Sequence, residues 1–257
     1  VPFTGSHPAA VLPLLRTGLP ASALVIGSVA PDLPYFVPVT VGGFHPPTDV
    51  GGPSHTLWAL VTLDLAMGLL AWAAWHGLLA APLLDLAPTG LRARLAGRVR
   101  LGLRHRLATP RRAALVALAL VVGAATHVLW DEFTHAGRFG TENVPALSAT
   151  WAGLEGYRWA QYGSGVIGAV ALVAWSVRWW RRTPPDPTGA PRRPRPLVWG
   201  AVVAAGVLGG VVAALRADGL RAAAFAGITT GGAASGAVVL VVAVLWHRRA
   251  GRAPAAR

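Results

Sequence analysis

Long apolar runs separated by arginine-bearing connections dominate the chain. A membrane-crossing helix needs about 20 mostly apolar residues, and four stretches meet that length: roughly 56 to 80, 113 to 131, 161 to 180 and 197 to 215. A fifth, about 220 to 246, is richer in glycine. There Gly227, Gly231, Gly232, Ser235 and Gly236 recur at three- and four-residue spacing, which suits helices that pack closely in lipid. Residues 8 to 30 are also apolar but are interrupted by Pro13, Arg16, Gly18 and Pro20, so they read either as one kinked span or as a re-entrant pair. A re-entrant pair would imply a cavity, because broken backbone at membrane depth is tolerated only where protein or water surrounds it. The pattern predicts an all-α, polytopic membrane fold: about five transmembrane helices plus a broken or re-entrant N-terminal segment.

Composition agrees. Of 257 residues, 54% are hydrophobic and only 13% charged, too apolar for an ordinary soluble domain. Cysteine is absent, which excludes disulfides, thiolate metal sites and thiol nucleophiles, so any metal must be held by nitrogen and oxygen. The net charge of +13 would suggest nucleic acid if it formed one surface, but the basic residues are all arginine and fall into separate blocks between apolar runs. They read as topology signals, and no nucleic-acid partner is expected. A removable signal peptide is not expected either, since no charged segment followed by an apolar stretch and a small-residue cleavage site opens the chain.

Arginine-rich short loops stay cytoplasmic. Arg92 to Arg112, Arg181 to Arg195 and Arg248 to Arg257 mark three such regions, whereas the alternate connections carry Glu132, Glu142, Glu155 and Asp218 with few arginines. Five spans with a cytoplasmic C-terminus, in a bacterial inner membrane, satisfy that distribution. Trp130, Trp151, Tyr157, Trp159 and Tyr162 then fall near the outer boundary, as aromatic belts do. Residues 181 to 196, rich in proline and arginine, read as an extended cytoplasmic linker between a metal-site membrane domain (1–180) and two packing helices with a basic tail (197–257).

Against this background the polar residues at the outer ends of the runs stand out. His127, Asp131 and His135, in HVLWDEFTH, follow one another at four-residue spacing and so share one helical stripe, with about 6 Å between neighbours. His127 and His135 would be about 12 Å apart on an unbroken helix, so either the helix opens at His135 or His135 serves a second ion. Ions of two-metal hydrolytic sites sit about 3.5–4 Å apart, which makes Asp131, in the middle, the expected bridge. Asp32, His55 and His7 fall on the same expected side, His7 only if residues 8 to 30 are re-entrant. Singly, each could cap a helix end; together, His and Asp are what zinc, manganese or iron select. Asp64 follows His55 by nine residues, about half-way round the helix, and is expected to face elsewhere as a protonated or hydrogen-bonded packing group. His45, His76, His105 and His247 receive no ligand role.

The blocks PFTGSHPAAVLP, ALVIGSVAPDLPYF, SHTLW, THVLWDEFTHAG and QYGSG, spread over the first two-thirds of the chain, resemble a bacterial family of multi-pass membrane proteins of unknown function. The order His, Pro-Asp, His, His-x3-Asp is also similar to that of predicted membrane-bound metal-dependent hydrolases, distantly related to zinc-dependent phospholipase C. That resemblance implies His7, Asp32, His55, His127, Asp131 and His135 as metal ligands. The later His and Glu pair that the soluble phospholipases carry on one helix has no counterpart here.

The expected activity is hydrolysis of a phosphoester or ester in a lipid or envelope precursor at the outer face, with one or two divalent ions, zinc first among them. Zinc would bring the pKa of a water to about 7. Glu132 or Asp32 would take the proton, and Arg138 and Arg158 would hold the phosphate with their fork-shaped guanidiniums. The alternative is a non-catalytic transporter or envelope component in which the cluster binds a structural metal or relays protons. Inverted repeats would accompany a transporter, and none is present.

Overall fold

The computed structural model describes residues 4–37, 45, 52–99, 102–186 and 195–250. The first three residues, most of the Pro/Arg-rich linker (187–194) and the tail beyond 250 lie outside the described residues. The protein is a bundle of helices, and five of these, Ala59–Leu86, Pro110–Asn143, Gly156–Arg182, Pro196–Leu215 and Leu220–Arg249, are long and apolar enough to cross a membrane. Each covers one of the five expected runs. Large apolar side chains such as Ile167, Val170, Leu197 and Leu208 point outwards along them, as they must where the solvent is hydrocarbon.

The broken N-terminal segment is re-entrant. Its prolines and Gly18, at φ +83°, divide it into 3-10 turns His7–Val11 and Pro13–Arg16, a short helix α1 (Ala21–Gly27) and a further 3-10 stretch Ala30–Phe36. No piece is long enough to cross a bilayer, and His7 and Asp32, at its two ends, meet the same residue, His127. A chain that returns to its starting point has not crossed. Its apolar residues go inward: Val11 and Leu24 join Trp72, Val116 and Leu120 in the buried core.

The spans are α2 (Ala59–Leu86, with a wide turn at Trp75–Leu79), α3 (Pro110–Thr134), α4 (Gly156–Arg182), α5 (Pro196–Leu215) and α6 (Leu220–Ala250). Helix α3 is the hub and packs against α1, α2 and α4. It starts at a Thr109 cap whose side chain accepts from Arg112 N–H, followed by Pro110. Between α3 and α4 lies one element that the helical periodicity does not contain. Strands β1 (Thr150–Trp151) and β2 (Leu154–Glu155) form a two-rung antiparallel hairpin, turned by Ala152 and Gly153 at positive φ.

The glycine-rich span packs as expected, with two exceptions. Gly227 and Gly231 lie against Gly210 and Gly206 of α5, and Ser235 donates to Val202 O at 3.0 Å. Gly232 instead receives Phe36 of the re-entrant segment, and Gly236 faces open space. At the opposite end of the bundle from the His/Asp residues, Trp246 donates to Asp85 (2.9 Å) and Arg94 sits over the Trp180 ring.

Candidate metal centre

The C-terminal end of α3 forms the middle of the site. His127 and Asp131 lie one turn apart on its buried face, and the helix closes at Thr134, leaving His135 extended (φ −127°, ψ 142°). The helix thus opens at His135, one of the two alternatives that the spacing left, and His135 Nδ1 comes to 3.2 Å from Asp131 Oδ1. The re-entrant segment brings His7 and Asp32 from one side, and the 3-10 turn Pro53–His55 brings His55 from the other.

All six residues meet. Asp32 Oδ1 lies 3.3 Å from His55 Nε2 and 3.6 Å from His127 Nε2, while Asp131 Oδ2 lies 3.4 and 3.5 Å from the same two nitrogens. The other oxygen of Asp131 faces His7 Nε2 at 3.7 Å as well as His135. The His7 ring stacks on that of His127, centroids 3.7 Å apart. Five of the six are almost wholly buried; the His135 side chain is 42% exposed.

Hydrogen bonds have heavy-atom separations of about 2.7–3.2 Å, whereas a tetrahedral ion with ligands at about 2.0–2.1 Å sets neighbouring ligand atoms about 3.3–3.4 Å apart. The four contacts among Asp32, Asp131, His55 and His127, at 3.3–3.6 Å, lie beyond the first range and at or slightly above the second. Two central atoms, His127 Nε2 and Asp131 Oδ1, are buried without any hydrogen bond, an expensive condition that an ion would relieve. Two buried groups, His7/His127/Asp131 and Asp32/His55/His127, have one ligand atom per residue within 4.8 Å of one another. The residues present therefore fit a divalent metal.

The imidazoles are set up for this by what lies behind them. His127 Nδ1 is 2.8 Å from Ser28 O, an acceptor only, so Nδ1 carries the proton and Nε2 turns a lone pair inward. Ser54 Oγ donates to Pro31 O (2.8 Å), so it accepts from His55 Nδ1 (3.1 Å), and the lone pair of His55 is on Nε2, the nitrogen that faces both carboxylates. His135 differs: the Gln161 amide donates to its Nε2 at 2.9 Å, leaving the proton on Nδ1, which Thr134 Oγ1 accepts at 3.1 Å and which lies 3.2 Å from Asp131 Oδ1. In this arrangement His135 orients Asp131 instead of ligating. With Nδ1 committed, His127 has one nitrogen to offer and can serve only one ion. Asp131 is the residue whose two oxygens face both groups.

Outside the spans, burial and the adjacent His127 lower the His7 pKa to about 4 against the pull of Asp131 and Asp32, so at neutral pH one ring nitrogen offers a lone pair. Burial by itself would raise the Asp32 carboxyl; the adjacent His127 and His55 imidazoles and the Thr4 hydroxyl outweigh it and hold the group well below the usual carboxylate range. Burial and the carboxylates of Asp32 and Asp131 push the Tyr35 phenol up.

The cluster floors a cavity of about 480 Å³ whose walls include Tyr35, Arg138, Arg158, Gln161, Arg221 and Phe225. Arg138 donates to His55 O (2.8 Å) and Arg158 is paired with Glu155. Glu132 does not line this cavity: it accepts from Phe139 N–H (2.8 Å) and sits 3.9 Å from Arg138. Its expected role as proton acceptor is replaced by that of a cap for the turn that carries Arg138. His45, His76, His105 and His247 also lie away from the cavity; His76, for example, is bonded to Ser22 at 2.9 Å.

A model of the family described as a domain of unknown function, DUF4184, matches residues 1–246. The chain belongs to that family. The DUF4184 match covers both the re-entrant segment and the five spans, and its description carries no activity. No curated protein and no solved structure matches the chain.

Sequence reasoning missed Arg221, Tyr35, Gln161 and Thr4, which donates to Asp32 Oδ2. Signals existed for three of them: Gln161 opens the QYGSG block, Thr4 lies in PFTGSHP, and Tyr35 lies in ALVIGSVAPDLPYF. Asp64 lies off the cavity as expected, but its packing is not hydrogen-bonded: it is 1% exposed and neither oxygen has a hydrogen-bond partner. Replacing Asp64 with Asn severs no bond, so stability is expected to stay within about 1 kcal/mol with metal content unchanged. Thermal unfolding and elemental analysis check this, and metal loss would instead make Asp64 part of the charge balance at the site.

Proposed function

We propose that the protein is a membrane-embedded, metal-dependent hydrolase of a phosphoester or related anionic ester in a lipid or lipid-linked envelope precursor. The observation that carries this reading is the pair of imidazoles, His55 and His127, whose Nε2 atoms converge on two carboxylates at 3.3–3.6 Å beneath a cavity edged by arginines. His55, His127, Asp32 and Asp131 would hold a first ion, and His7 with the second oxygen of Asp131 a second. A bound divalent ion of the zinc type supplies Lewis acidity and a nucleophilic water at neutral pH.

The chain's own groups do the rest. Arg138 and Arg221 bind and orient the anionic group, Arg138 being fixed by the His55 carbonyl. Arg221 makes no hydrogen bond or ion pair with the described residues, which leaves its guanidinium for a ligand. Arg158 lies on the same wall, held by Glu155 and Tyr157. Tyr35, kept protonated, can give a hydrogen bond to a departing oxygen.

The arginine-bearing ends of α4 and α6 lie at the far end of the bundle, which supports an inner-membrane orientation with the site outside and the C-terminus in the cytoplasm. The test is release of phosphate from phosphomonoester lipids, and of the phosphorylated headgroup from phosphodiester lipids, by detergent-purified protein reloaded with zinc or manganese. Turnover is expected, with a loss of at least about a hundredfold in Arg221→Ala if it binds the transition-state charge. Metal binding with no turnover on any substrate would instead favour a structural or transport role.

A further inference from the structure

Beside the polar cavity, between α3 and α4, runs a second and larger hollow of about 770 Å³, lined by Leu129, Trp130, Phe133, Trp159, Gly163 and Ile167. The two are adjacent: Thr134 lines both, and Trp130, in the wall of the hollow, sets its ring edge-on to His7 of the cavity, centroids 5.4 Å apart. The hollow is built to be apolar. Its two indole N–H groups are already satisfied within the protein, Trp130 donating to Ser164 Oγ (2.8 Å) and Trp159 to Trp151 O (2.8 Å). It opens on the flank of the bundle, where Leu129, Phe133 and Ile167 are exposed within membrane-spanning helices. At that depth the surrounding medium is hydrocarbon. Beside it, the cavity offers arginines and a cluster able to take a metal, all of which select an anion.

We propose that the α3/α4 groove binds the hydrocarbon chain of an amphiphilic substrate whose anionic headgroup occupies the His/Asp cavity, so that the protein takes its substrate sideways from the membrane. This rests on the anionic-substrate reading above and narrows it: a water-soluble phosphoester would leave the groove idle. Trp130 and Thr134 mark the boundary at which headgroup gives way to chain.

Gly163 provides a test that spares the site. A Cβ at this position meets nothing within 4 Å, so Gly163→Leu fills the groove without pressing on the fold. Binding of dioleoyl phosphatidate and of glycerol 3-phosphate is measured on the detergent-purified full chain, with Val173→Leu on the exposed face of α4 away from the groove as control. Wild type is expected to bind the lipid at least about tenfold more tightly than the bare headgroup. Gly163→Leu should lose that advantage while keeping its affinity for glycerol 3-phosphate and its metal content, and Val173→Leu should change neither. Undiminished lipid binding in Gly163→Leu, equal loss in Val173→Leu, or a change of oligomeric mass in place of lipid affinity overturns the groove assignment. Loss of glycerol 3-phosphate binding to wild type counts against the headgroup reading alone, and binding preference without turnover counts against hydrolysis alone.

Discussion

Protein carrying alanine at both His127 and Asp131 is expected to purify with no bound divalent metal, where the unsubstituted chain carries one or two ions. His127 is the residue common to both buried ligand groups, and Asp131 is the carboxylate that contacts His7, His55, His127 and His135. Removing both leaves neither group complete. The matching stability effect is large: an ion present at about a hundred times its dissociation constant adds about 2.7 kcal/mol to folding. Wild type should therefore gain thermal stability on adding metal and lose it to a chelator, and the double variant should respond to neither. Asp131→Asn, which keeps the volume and removes the charge, guards against simple misfolding and should likewise lose metal. His135→Ala should weaken metal affinity by only about 10–100-fold, as expected for a residue that orients a ligand. Elemental analysis of the purified variants decides this, and unchanged metal in the double variant would sink the site.

How much of this could be read beforehand depends on the physical scale of each feature. The five spans were legible because a bilayer demands a run of fixed length, which needs no tertiary information. The His127/Asp131 pair was legible because four-residue spacing on a helix is local geometry. The fate of residues 8 to 30 was left open, since Pro13, Gly18 and Pro20 declare a break but not the direction of the chain after it. Only the meeting of His7 and Asp32 at His127 decides it. Glu132 shows the opposite limit: next to Asp131 in sequence, it points elsewhere because adjacent helical residues diverge by about 100°, and there it caps Phe139. Arg221 was hidden because its relation to the site depends on where α6 packs, for which Phe225 against Tyr35, centroids 5.7 Å apart, is the visible contact. The connections behind the histidines, Ser28 O and Ser54 Oγ, are of the same kind.

The seating of α1 on α3 should prove as sensitive as the ligands themselves. At the crossing, a Cβ on Gly123 would lie 2.3 Å from Leu24 O and 2.7 Å from Ser28 N, and one on Gly27 would lie 2.3 Å from Leu120 O. The obstacles are backbone atoms, which cannot swing aside as a side chain can, so the two helices would have to separate. Separation carries Ser28 away from His127, one turn beyond Gly123, breaking the 2.8 Å contact that fixes the imidazole, and it displaces Asp32 four residues further along. Two effects compete in Gly123→Ala. Helix propensity favours alanine by about 0.8–1 kcal/mol, whereas overpacking costs about 1–3 kcal/mol or more; with backbone on both sides the second wins. Gly123→Ala is expected to lower the unfolding temperature and reduce metal occupancy together, and Gly123→Leu to abolish both folded yield and metal. Gly236→Ala is the internal standard: a Cβ there meets nothing within 4 Å, so the same substitution in a spanning helix should be neutral or mildly stabilising with metal unchanged. If Gly123→Ala behaved like Gly236→Ala, α1 would not lie against α3, and the re-entrant segment would no longer deliver His7 and Asp32 to the site.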